Sequence, residues 1–419
     1  MNESNAGPTT SITRPKSRGN GASAEQLELF KSVLGIYLGA DEVGNDDLYE
    51  GLVQRGTLDR DELSRQEAIG EKGSKCSPVK RQIRWHQQTA KHLGLLERIP
   101  SRRGAWRATA KAKADLTPAP ARVTLVGFST ELGMALWSSC DDVFGRLDEP
   151  IVLCLTSPPY CLAKPRAYGN PAASEYVDFI CASLEPIVKN LVRGGSIALN
   201  ISNDVFEPGL PSRALHAERL TIALCDRLGL HLLDRLVWSN PSKAPGPVQW
   251  ASKSRMLLNV GYEPIFVYTN DPKASLADNR RVLQAHTERH LNLIRNGGEQ
   301  RERTFSDGAY RLKVGSFGNA TEGRIPKNVL TYGHRCSDQI RMRKAAVAAG
   351  IPPHGAPMPL SLAKFLVQYL SRPGDLVVDP FGGTLTTAKA AEEVGRRWLA
   401  TELMLEHIEA GKLRFENTD

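Results

Sequence analysis

Short apolar runs alternate with amphipathic stretches along most of the chain after residue 117. Three of the runs, "PIVLCLT", "GSIALNI" and "DLVVDPF", are bounded by turn residues, as buried parallel strands are. The stretches "LHAERLTIALCDRLGL" and "LSLAKFLVQYL" carry apolar residues at helical spacing. Strands that alternate with helices indicate a doubly wound parallel sheet. We therefore expect an α/β fold for the larger part of the chain.

The pattern is different at the amino-terminal end. Residues 1–22 are rich in Ser, Thr, Asn, Gly and Pro, which predicts a disordered tail. Residues 23–116 predict an α+β domain that ends in a basic helix, a short strand, the turn "PSRRG" and a returning strand. This order resembles the winged-helix domains of some restriction–modification proteins, although a basic helical hairpin with a solvated face also fits. Prolines predict a linker over residues 117–125.

Charge is unevenly distributed along the chain, whose net charge is +8. Residues 1–71 hold 7 Lys/Arg and 13 Asp/Glu, whereas residues 72–113 hold 12 Lys/Arg and one Glu. The remaining residues are nearly balanced, with 35 against 32. A single short segment therefore carries the positive excess, which indicates a polyanionic partner. The candidate phosphate contacts in this segment are Arg102, Arg103 and Arg107.

Length and cysteine usage limit the class of protein. A chain of 419 residues is expected to hold two or three domains. Its seven cysteines include no Cys-x-x-Cys pair, which predicts reduced thiols rather than disulfides or a metal site. No run reaches 18 apolar residues, and the first residues lack the apolar segment of a signal peptide. We expect a cytoplasmic protein with no membrane segment.

The apolar run Ile151–Cys154 leads into the turn "LTSPPY", which ends at Tyr160. Two prolines stiffen the turn, and each removes a backbone donor. Its carbonyl groups are therefore held rigidly with few amides to pair with, and an aromatic ring follows directly. Such a turn suits a ligand that has a flat face and hydrogen-bond donors. Taken alone, it also fits a strand-ending turn with a core tyrosine.

A second motif, "DPFGGT", lies near the carboxyl-terminal end. Its strand ends at Asp379. The chain then passes through Gly382 and Gly383 and begins a helix at Thr384. A strand, glycine loop and helix in this order bring backbone close to a nucleotide-like cofactor. A following strand ends at Glu402, where a carboxylate accepts hydrogen bonds from ribose hydroxyls. Taken alone, this motif fits a glycine turn in any α/β protein.

The pair "TSPPY" and downstream "DPFGGT" resembles the S-adenosylmethionine-dependent amino-methyltransferases of DNA, specifically those of cytosine N4. The motif order is similar to the circularly ordered arrangement called the beta group. The resemblance covers about residues 123–416. It implies a Rossmann-like methyltransferase sheet within residues 126–419, with a target recognition region inserted at about 240–335. It also implies S-adenosylmethionine as the cofactor and double-stranded DNA as the partner.

The resemblance further implies roles for individual residues. The Ser157 hydroxyl and the Pro158 carbonyl would accept the two N4 hydrogens of a flipped-out cytosine, and Tyr160 would stack on its ring. These bonds would aim the nitrogen lone pair at the methyl sulfonium. "HGAPMPLSLAKFLVQYL" resembles the helix that packs on the methionine end of the cofactor. The implied catalytic residues are Ser157, Pro158, Pro159 and Tyr160, and the implied cofactor-binding residues are His354, Met358, Asp379, Phe381, Gly382, Gly383, Thr384 and Glu402.

Two positions add detail to this resemblance. Leu385 stands where the family pattern has Gly or Asn, and a side chain of that size is expected to narrow or shift the cofactor loop. Serine before "PPY" favours cytosine N4 over adenine N6, an inference from the family alone. Asp204 or solvent is expected to accept the proton after methyl transfer. The candidate DNA contacts in the recognition region are Arg280, Arg281 and Arg303.

Three functions stay open on the sequence. The first is a DNA N4-cytosine methyltransferase with an amino-terminal DNA-binding domain, either paired with a separate restriction endonuclease or solitary in a phage or host. The second is the same fold acting on adenine N6, RNA or glutamine, although glutamine enzymes carry the two motifs in the opposite order. The third is a decayed, non-enzymatic DNA-binding protein. For the first we expect a monomer or a homodimer.

Overall fold

A computed structural model describes residues 24–40, 42–69, 74–109, 117–161, 174–352 and 357–416. The predicted tail over residues 1–22 and the predicted cofactor residue His354 lie outside the described residues. We refer to residues 24–109 as the N-terminal body and to residues 117–416 as the α/β body. None of the described helices is long and apolar enough to span a bilayer.

The N-terminal body packs helices against a small antiparallel sheet. In the described residues its elements are, in order, α1 (Ala24–Leu38), β1 (Val43–Gly44), α2 (Asn45–Gln54), α3 (Arg60–Ser64), β2 (Glu67–Ile69), β3 (Ser74–Cys76), α4 (Pro78–His92), β4 (Leu96–Arg98) and β5 (Ala105–Ala108). The sheet has the order β1-β5-β4, and β2 pairs separately with β3. The Ser77 hydroxyl caps α4, and Gly94 follows the helix at φ 68°. Helix, strand, turn and strand therefore occur in the expected order, and the winged-helix resemblance stays a prediction.

The α/β body is built on one large sheet. Its described elements are β6 (Leu125–Ser129), β7 (Gly133–Trp137), α5 (Cys140–Phe144), β8 (Ile151–Thr156), α6 (Tyr176–Lys189), β9 (Leu191–Asn200), α7 (His216–Leu228), β10 (His231–Ser239), β11 (Tyr262–Thr269), α8 (Glu288–Arg295), β12 (Arg303–Phe305), β13 (Tyr310–Leu312), β14 (Val329–Thr331), α9 (Ser337–Ala348), α10 (Leu360–Leu370), β15 (Leu376–Asp379), α11 (Thr386–Glu393), β16 (Arg397–Glu402) and α12 (Leu405–Lys412). The sheet has the order β14-β10-β11-β9-β8-β15-β16-β7-β6. Strands β9, β8, β15, β16 and β7 run parallel, whereas β11 and β6 are antiparallel to their neighbours.

The central strands are covered on both faces, as their continuous apolar runs predict. Leu153 and Leu155 of β8 belong to one hydrophobic core, which α10 and α11 share, whereas Cys154 belongs to the core on the other face, with α6 and α7. The observed architecture is thus an α/β Rossmann-like fold. It departs from the predicted all-parallel sheet because β10 and β11 pair antiparallel, a pairing that needs no crossover helix.

The strand order brings the two sequence motifs together. Strands β8 and β15 are neighbours in parallel register, with Val377 opposite Leu153 and Val378 opposite Cys154. After β8 the chain adds β9 on the side of β8 that faces away from β15, and after β15 it adds β16 on the side of β15 that faces away from β8. Ligands of such sheets bind outside the carboxyl ends of the strands at the point where the order reverses. "TSPPY" and "DPFGGT" both follow strands that end at this point.

Two predicted boundaries differ from the structure. Within the predicted linker, Pro118 forms a bridge with Met404, and the amide of Ala119 donates to the Leu403 carbonyl, so this segment pairs with the α/β body. Strands β11 and β14 lie inside the region 240–335 that the resemblance assigned to an insertion, yet both belong to the main sheet. A basic composition does not distinguish a strand of the main sheet from an inserted segment.

Candidate active site

The carboxyl ends of β8 and β15 are joined by a buried hydrogen bond. The Thr156 hydroxyl donates to Asp379 Oδ1 at 2.6 Å, and the amide of Phe381 donates to the same oxygen at 3.1 Å. Burial raises the pKa of Asp379 to about 6, although these bonds and the Thr387 hydroxyl act in the opposite direction. The two motifs are therefore parts of one arrangement of side chains.

The "SPPY" turn places two hydroxyl groups side by side. Ser157 Oγ and Tyr160 OH are 2.9 Å apart, and Tyr160 OH lies 3.5 Å from Asn200 Oδ1 at the end of β9. The Asn200 amide nitrogen donates to the Pro264 carbonyl at 3.3 Å, so its oxygen faces the tyrosine. Asn200 is buried, and Ser157 and Tyr160 are half-buried. No spacing rule in the sequence links Asn200 to this turn, because the two strand ends are distant in the chain.

The glycine loop between β15 and α11 is held against β16. The Gly382 amide donates to the Thr401 carbonyl at 2.8 Å, and a Cβ on Gly382 would lie 3.2 Å from that oxygen and from Ala400 Cβ. Gly383 adopts φ 49°, and its amide donates to Glu402 Oε2 at 2.7 Å. A left-handed conformation and this close approach to backbone both favour glycine. The loop therefore packs closely on β16, with Gly382 buried and Gly383 half-buried.

Glu402 is buried at the end of β16, where it bonds to three groups. Besides Gly383, the Met404 amide donates to Oε1 at 2.8 Å, and His407 Nδ1 lies 3.2 Å from the same oxygen. Burial acts to raise the pKa of Glu402, but the hydrogen bond and charge of His407 and the two amides outweigh it and hold the pKa below its usual value. The side chain predicted to accept ribose hydroxyls is thus an ionised group that also anchors the glycine loop.

Leu385 occupies the position where the family pattern has Gly or Asn. Its φ of 59° is left-handed, which explains the preference for those residues. The side chain is fully buried against α12, and a Cβ on Gly411 would lie 2.6 Å from Leu385 Cγ. The bulk of Leu385 therefore lies in the core, in space that Gly411 leaves open. The sequence had no means of connecting these two positions.

Helix α9 holds the segment that precedes α10. The Gln339 amide donates to the carbonyls of Pro357 and Met358, both at 2.8 Å. Met358, a predicted cofactor residue, is buried beside this contact. The preceding residue on the same helix, Asp338, forms a buried ion pair with Arg414.

Arg414 extends this contact to the glycine loop. Its guanidinium is buried, and Nη2 donates to the Thr384 hydroxyl at 3.2 Å. Thr384 is buried as well, so its hydroxyl is not exposed to the crevice and only its backbone can border it. α9 therefore contacts one predicted cofactor segment directly and the other through Arg414. These residues belong to no motif, and the sequence did not identify them.

Three further side chains lie near the same edge. Phe381, a predicted cofactor residue, is half-buried with its ring 5.8 Å from that of Phe179. Asp204 Oδ1 is buried with no hydrogen-bond partner among the described residues, and Oδ2 faces Gly246, where a Cβ would lie 3.9 Å from it. Cys161 is buried, and burial raises the pKa of its thiol, so it is a packing residue rather than a thiolate.

The structure does not bring all predicted DNA-binding arginines to this edge. Arg281 donates to the carbonyls of Leu276 and Ser371, and Ser371 directly follows α10 at the amino end of β15. Arg280 forms paired hydrogen bonds with Asp278 at 2.9 and 2.8 Å. Both arginines therefore lie at the opposite edge of the sheet from Ser157, engaged with protein groups.

The other predicted arginines are exposed on separate hairpins. Arg303 begins β12, which pairs only with β13 in the described residues. In the N-terminal body, Arg107 bonds to Glu97 at 2.6 Å across β4 and β5, and Arg102 lies 3.9 Å from Asp47. Arg103 is exposed at the tip of the β4–β5 turn. Their roles in DNA binding stay predictions.

Comparisons with known proteins match the α/β body. Residues 151–413 match the N6_N4_Mtase family, described as DNA methylase. The Type II methyltransferase M.PvuII of Proteus hauseri is 31% identical over 270 residues, which span 64% of this chain and 79% of that protein. The DNA adenine methyltransferase YhdJ of Escherichia coli (strain K12) is 36% identical over 63 residues, 15% of this chain and 21% of that protein.

One solved structure supports the fold. The PvuII DNA methyltransferase (cytosine-N4-specific) superposes on 70% of this chain and 90% of its own chain, with a TM-score of 0.55 and 24% sequence identity. At this level of identity the likeness bears on the fold, and it agrees with the Rossmann-like sheet described above.

Proposed function

This chain belongs to the N6/N4 family of DNA methylases, and from that premise we propose that it transfers a methyl group to the N4 amino nitrogen of cytosine in duplex DNA. It is a DNA methyltransferase, and S-adenosylmethionine is its cofactor. The choice of base and atom is our proposal. The observation that supports methyl transfer at this site is the contact of Thr156 with Asp379, which joins the strand ends that lead into the "SPPY" turn and the glycine loop.

The residues around the crevice fit this cofactor. Gly382 and Gly383 bring backbone to its surface, and Glu402 offers an ionised carboxylate where ribose hydroxyls need acceptors. We assign apolar contacts with the cofactor to the half-buried Phe381 of the same motif and to Met358 before α10. S-adenosylmethionine carries a methyl group already activated by its sulfonium, so the chain need form no covalent intermediate. The part left to the protein is orientation and charge.

We propose that Ser157 accepts a hydrogen bond from the cytosine amino group. To accept this bond, the Ser157 hydroxyl must direct its own proton away from the base. Tyr160 OH, 2.9 Å away, is placed to accept that proton in a hydrogen bond. Tyr160 OH in turn points at Asn200 Oδ1, whose orientation the Pro264 carbonyl sets. This chain of hydroxyl groups would leave a Ser157 lone pair free for the substrate. The Pro158 carbonyl would accept the second amino hydrogen, and Pro159 would keep the turn rigid.

The base must leave the duplex to reach these groups, because its amino group is paired inside the helix. Extrusion costs a few kcal/mol, and stacking on an aromatic ring returns about 1–3 kcal/mol per base. We assign that stacking to Tyr160. Asp204 is our candidate to accept the proton after transfer, since Asn200 is a neutral amide and cannot act as a base. The unpartnered Asp204 oxygen at the same edge, with no hydrogen bond among the described residues, supports this choice.

We further propose that the N-terminal body contributes DNA contacts outside the active site, through the exposed turn that carries Arg102 and Arg103. Similarity to a Type II methyltransferase supports a role in restriction–modification, with cleavage left to a separate endonuclease. A second candidate function is methylation of adenine N6, which similarity to an adenine methyltransferase over 63 residues favours.

Nucleoside mass spectrometry tests the proposal. Purified protein is incubated with unmethylated genomic DNA and methyl-labelled S-adenosylmethionine, and the DNA is digested to nucleosides. We expect labelled N4-methylcytosine. In Ser157→Ala we expect a rate about 10²–10³-fold lower, the loss typical of one aligned hydrogen bond in a transition state. The matched control is Ser212→Ala, an exposed serine bonded to Glu207, which should label DNA like the wild type.

The outcomes separate the candidates. Labelled N6-methyladenine would retain the fold and the cofactor but refute the choice of cytosine. Equal labelling by Ser157→Ala and the wild type would refute the role of Ser157. An unlabelled DNA pool, from protein shown by calorimetry to bind S-adenosylmethionine, would support a decayed enzyme.

A further inference from the structure

The connection between β10 and β11 presents large apolar side chains to solvent. Leu258 is 88% exposed and Met256 is 63% exposed, and Val248 in the same connection and Tyr262 at the start of β11 are also exposed. Single exposed apolar residues are common on protein surfaces, but a group of four within one short segment marks a contact surface. We define residues 247–259 as the apolar finger.

The finger projects from the catalytic edge of the sheet. Its base is closed by hydrogen bonds from the Val260 amide to the Gly246 carbonyl at 2.8 Å and from the Asn240 amide to the Gly261 carbonyl at 3.0 Å. Gly246 faces the Asp204 carboxylate. Three residues beyond Gly261 lies Pro264, whose carbonyl orients Asn200. The finger is therefore rooted beside the groups that we assign to catalysis.

The finger is held together by hydrogen bonds between its two halves. Its first half, Val248–Lys253, is a π-helical turn. The amides of Met256 and Leu257 both donate to the Trp250 carbonyl, at 2.8 and 3.2 Å, and fold the second half back on this turn. A half-buried ion pair of Lys243 with Glu263, at 2.9 Å, braces the base. The part of the finger that leads to the exposed Leu258 is thus held in place by backbone hydrogen bonds.

The charge of the segment identifies the class of partner. Residues 241–262 contain Lys243, Lys253 and Arg255 and no Asp or Glu. Lys253 and Arg255 are exposed and come shortly before Met256 and Leu258 in the chain. A lipid or protein partner would match the apolar side chains, but exposed apolar side chains and cations in one segment beside a DNA methylase site match the stacked bases and phosphates of a duplex.

We propose that Leu258, supported by Met256, inserts into the base stack of the DNA and fills the space left by the extruded base. The inference rests on the proposed function, because a wedge is needed only where a base leaves the duplex. Apolar side chains inserted between base steps separate stacked pairs and stabilise the distorted duplex. Lys253 and Arg255 hold the flanking phosphates during insertion.

The test compares two duplexes that carry the methylated site mapped for the wild type. In one the target base is normally paired, and in the other an abasic site stands opposite the target, so that little unpairing is required. We expect Leu258→Ala to lower the single-turnover methylation rate roughly tenfold or more on the paired duplex and to match the wild type within about twofold on the abasic one. Leu258→Met, which keeps the bulk, should retain the wild-type rate on both.

The matched control is Ile222→Ala, an equally simple truncation of a 60% exposed side chain on α7. It should behave as the wild type on both duplexes. Equal loss on both duplexes, or no loss on the paired one, would overturn the wedge while leaving the methyltransferase intact. A wild-type protein that methylates neither genomic DNA nor any duplex would refute the proposed function first, and the wedge with it.

Discussion

Two buried carboxyl groups end adjacent strands, and their surroundings shift their pKa values in opposite directions. Burial dominates at Asp379 and raises its pKa, whereas the donors around Glu402, His407 among them, outweigh burial and lower its pKa. At neutral pH the crevice thus combines an ionised Glu402 with an Asp379 whose ionisation lowers the free energy of unfolding. Residue type alone does not separate these two behaviours.

The raised pKa of Asp379 predicts a pH-dependent stability. Between its ordinary value of 3.8 and about 6, the folded chain holds a proton that the unfolded chain has released, so this group's contribution to stability falls as pH rises through that window. Asp379→Asn removes the effect. From pH 4.5 to 7.5 we expect the wild type to lose about 2–3 kcal/mol of unfolding free energy relative to the variant.

Urea unfolding at the two pH values measures this difference. Asp307→Asn, at an exposed loop position, is the control and should keep the pH dependence of the wild type. A wild type and an Asp379→Asn variant whose unfolding free energies change in parallel would show that burial does not perturb this carboxyl.

At the scale of elements, α9 has a role that no strand or loop motif indicates. Gln339 pairs with two carbonyls before α10, and Asp338 reaches the glycine loop through Arg414. The helix therefore braces two sides of the cofactor crevice while following β14 directly in the chain. We infer that the position of α9 sets the width of the crevice.

Gln339→Met tests this role, because it keeps the volume but removes both donors. Leaving two carbonyls without partners costs about 1–3 kcal/mol each, and we expect KM for S-adenosylmethionine to rise roughly tenfold with a smaller change in kcat. The matched control is Gln300→Met, since Gln300 also donates to two carbonyls, those of Asn296 and Gly298, but far along the chain from the cofactor motifs. A KM unchanged by Gln339→Met, or raised equally by both variants, would exclude this role.

At the scale of the whole molecule, the two bodies share one hydrophobic core. Helix α1 packs on β6, with the Phe30 and Trp137 rings 5.5 Å apart, and Lys31 forms an ion pair with Glu409 of α12 at 2.6 Å. Phe30 and Trp137 are both fully buried. The shared core joins the N-terminal body to the α/β body, so the DNA contacts that we propose for the N-terminal body and the active site would address one duplex in a set register.

Phe30→Ala probes this shared core. Truncating a buried phenylalanine costs about 3–5 kcal/mol, and because the core is common to both bodies we expect faster hydrogen exchange in β6 and β7 as well as in residues 29–109. Mass spectrometry of exchanged peptides makes the measurement, with Tyr310→Ala, an exposed aromatic on β13, as the control. Faster exchange confined to the N-terminal body would show that the two bodies unfold independently.

The sequence by itself determined the α/β class, the central strands β8, β9, β15 and β16, and both motifs. Those features are local, because a buried strand and a glycine turn are written in consecutive residues. It also determined that the motifs belong to one family. The charge pattern indicated a polyanionic partner. It selected arginines by composition, and Arg280 and Arg281 were among the candidate DNA contacts. In the structure these two side chains bond to Asp278 and to backbone carbonyls at the opposite edge of the sheet.

Only the tertiary structure decided which distant residues meet. The pairing of Leu385 with Gly411, of Tyr160 with Asn200 and of Gln339 with the segment before α10 each joins strand or helix ends that no spacing rule connects. The same holds for the apolar finger, since no pattern in the sequence predicts that Leu258 is exposed. Burial and register depend on contacts across the whole sheet, and these arise only when β8 and β15 lie side by side.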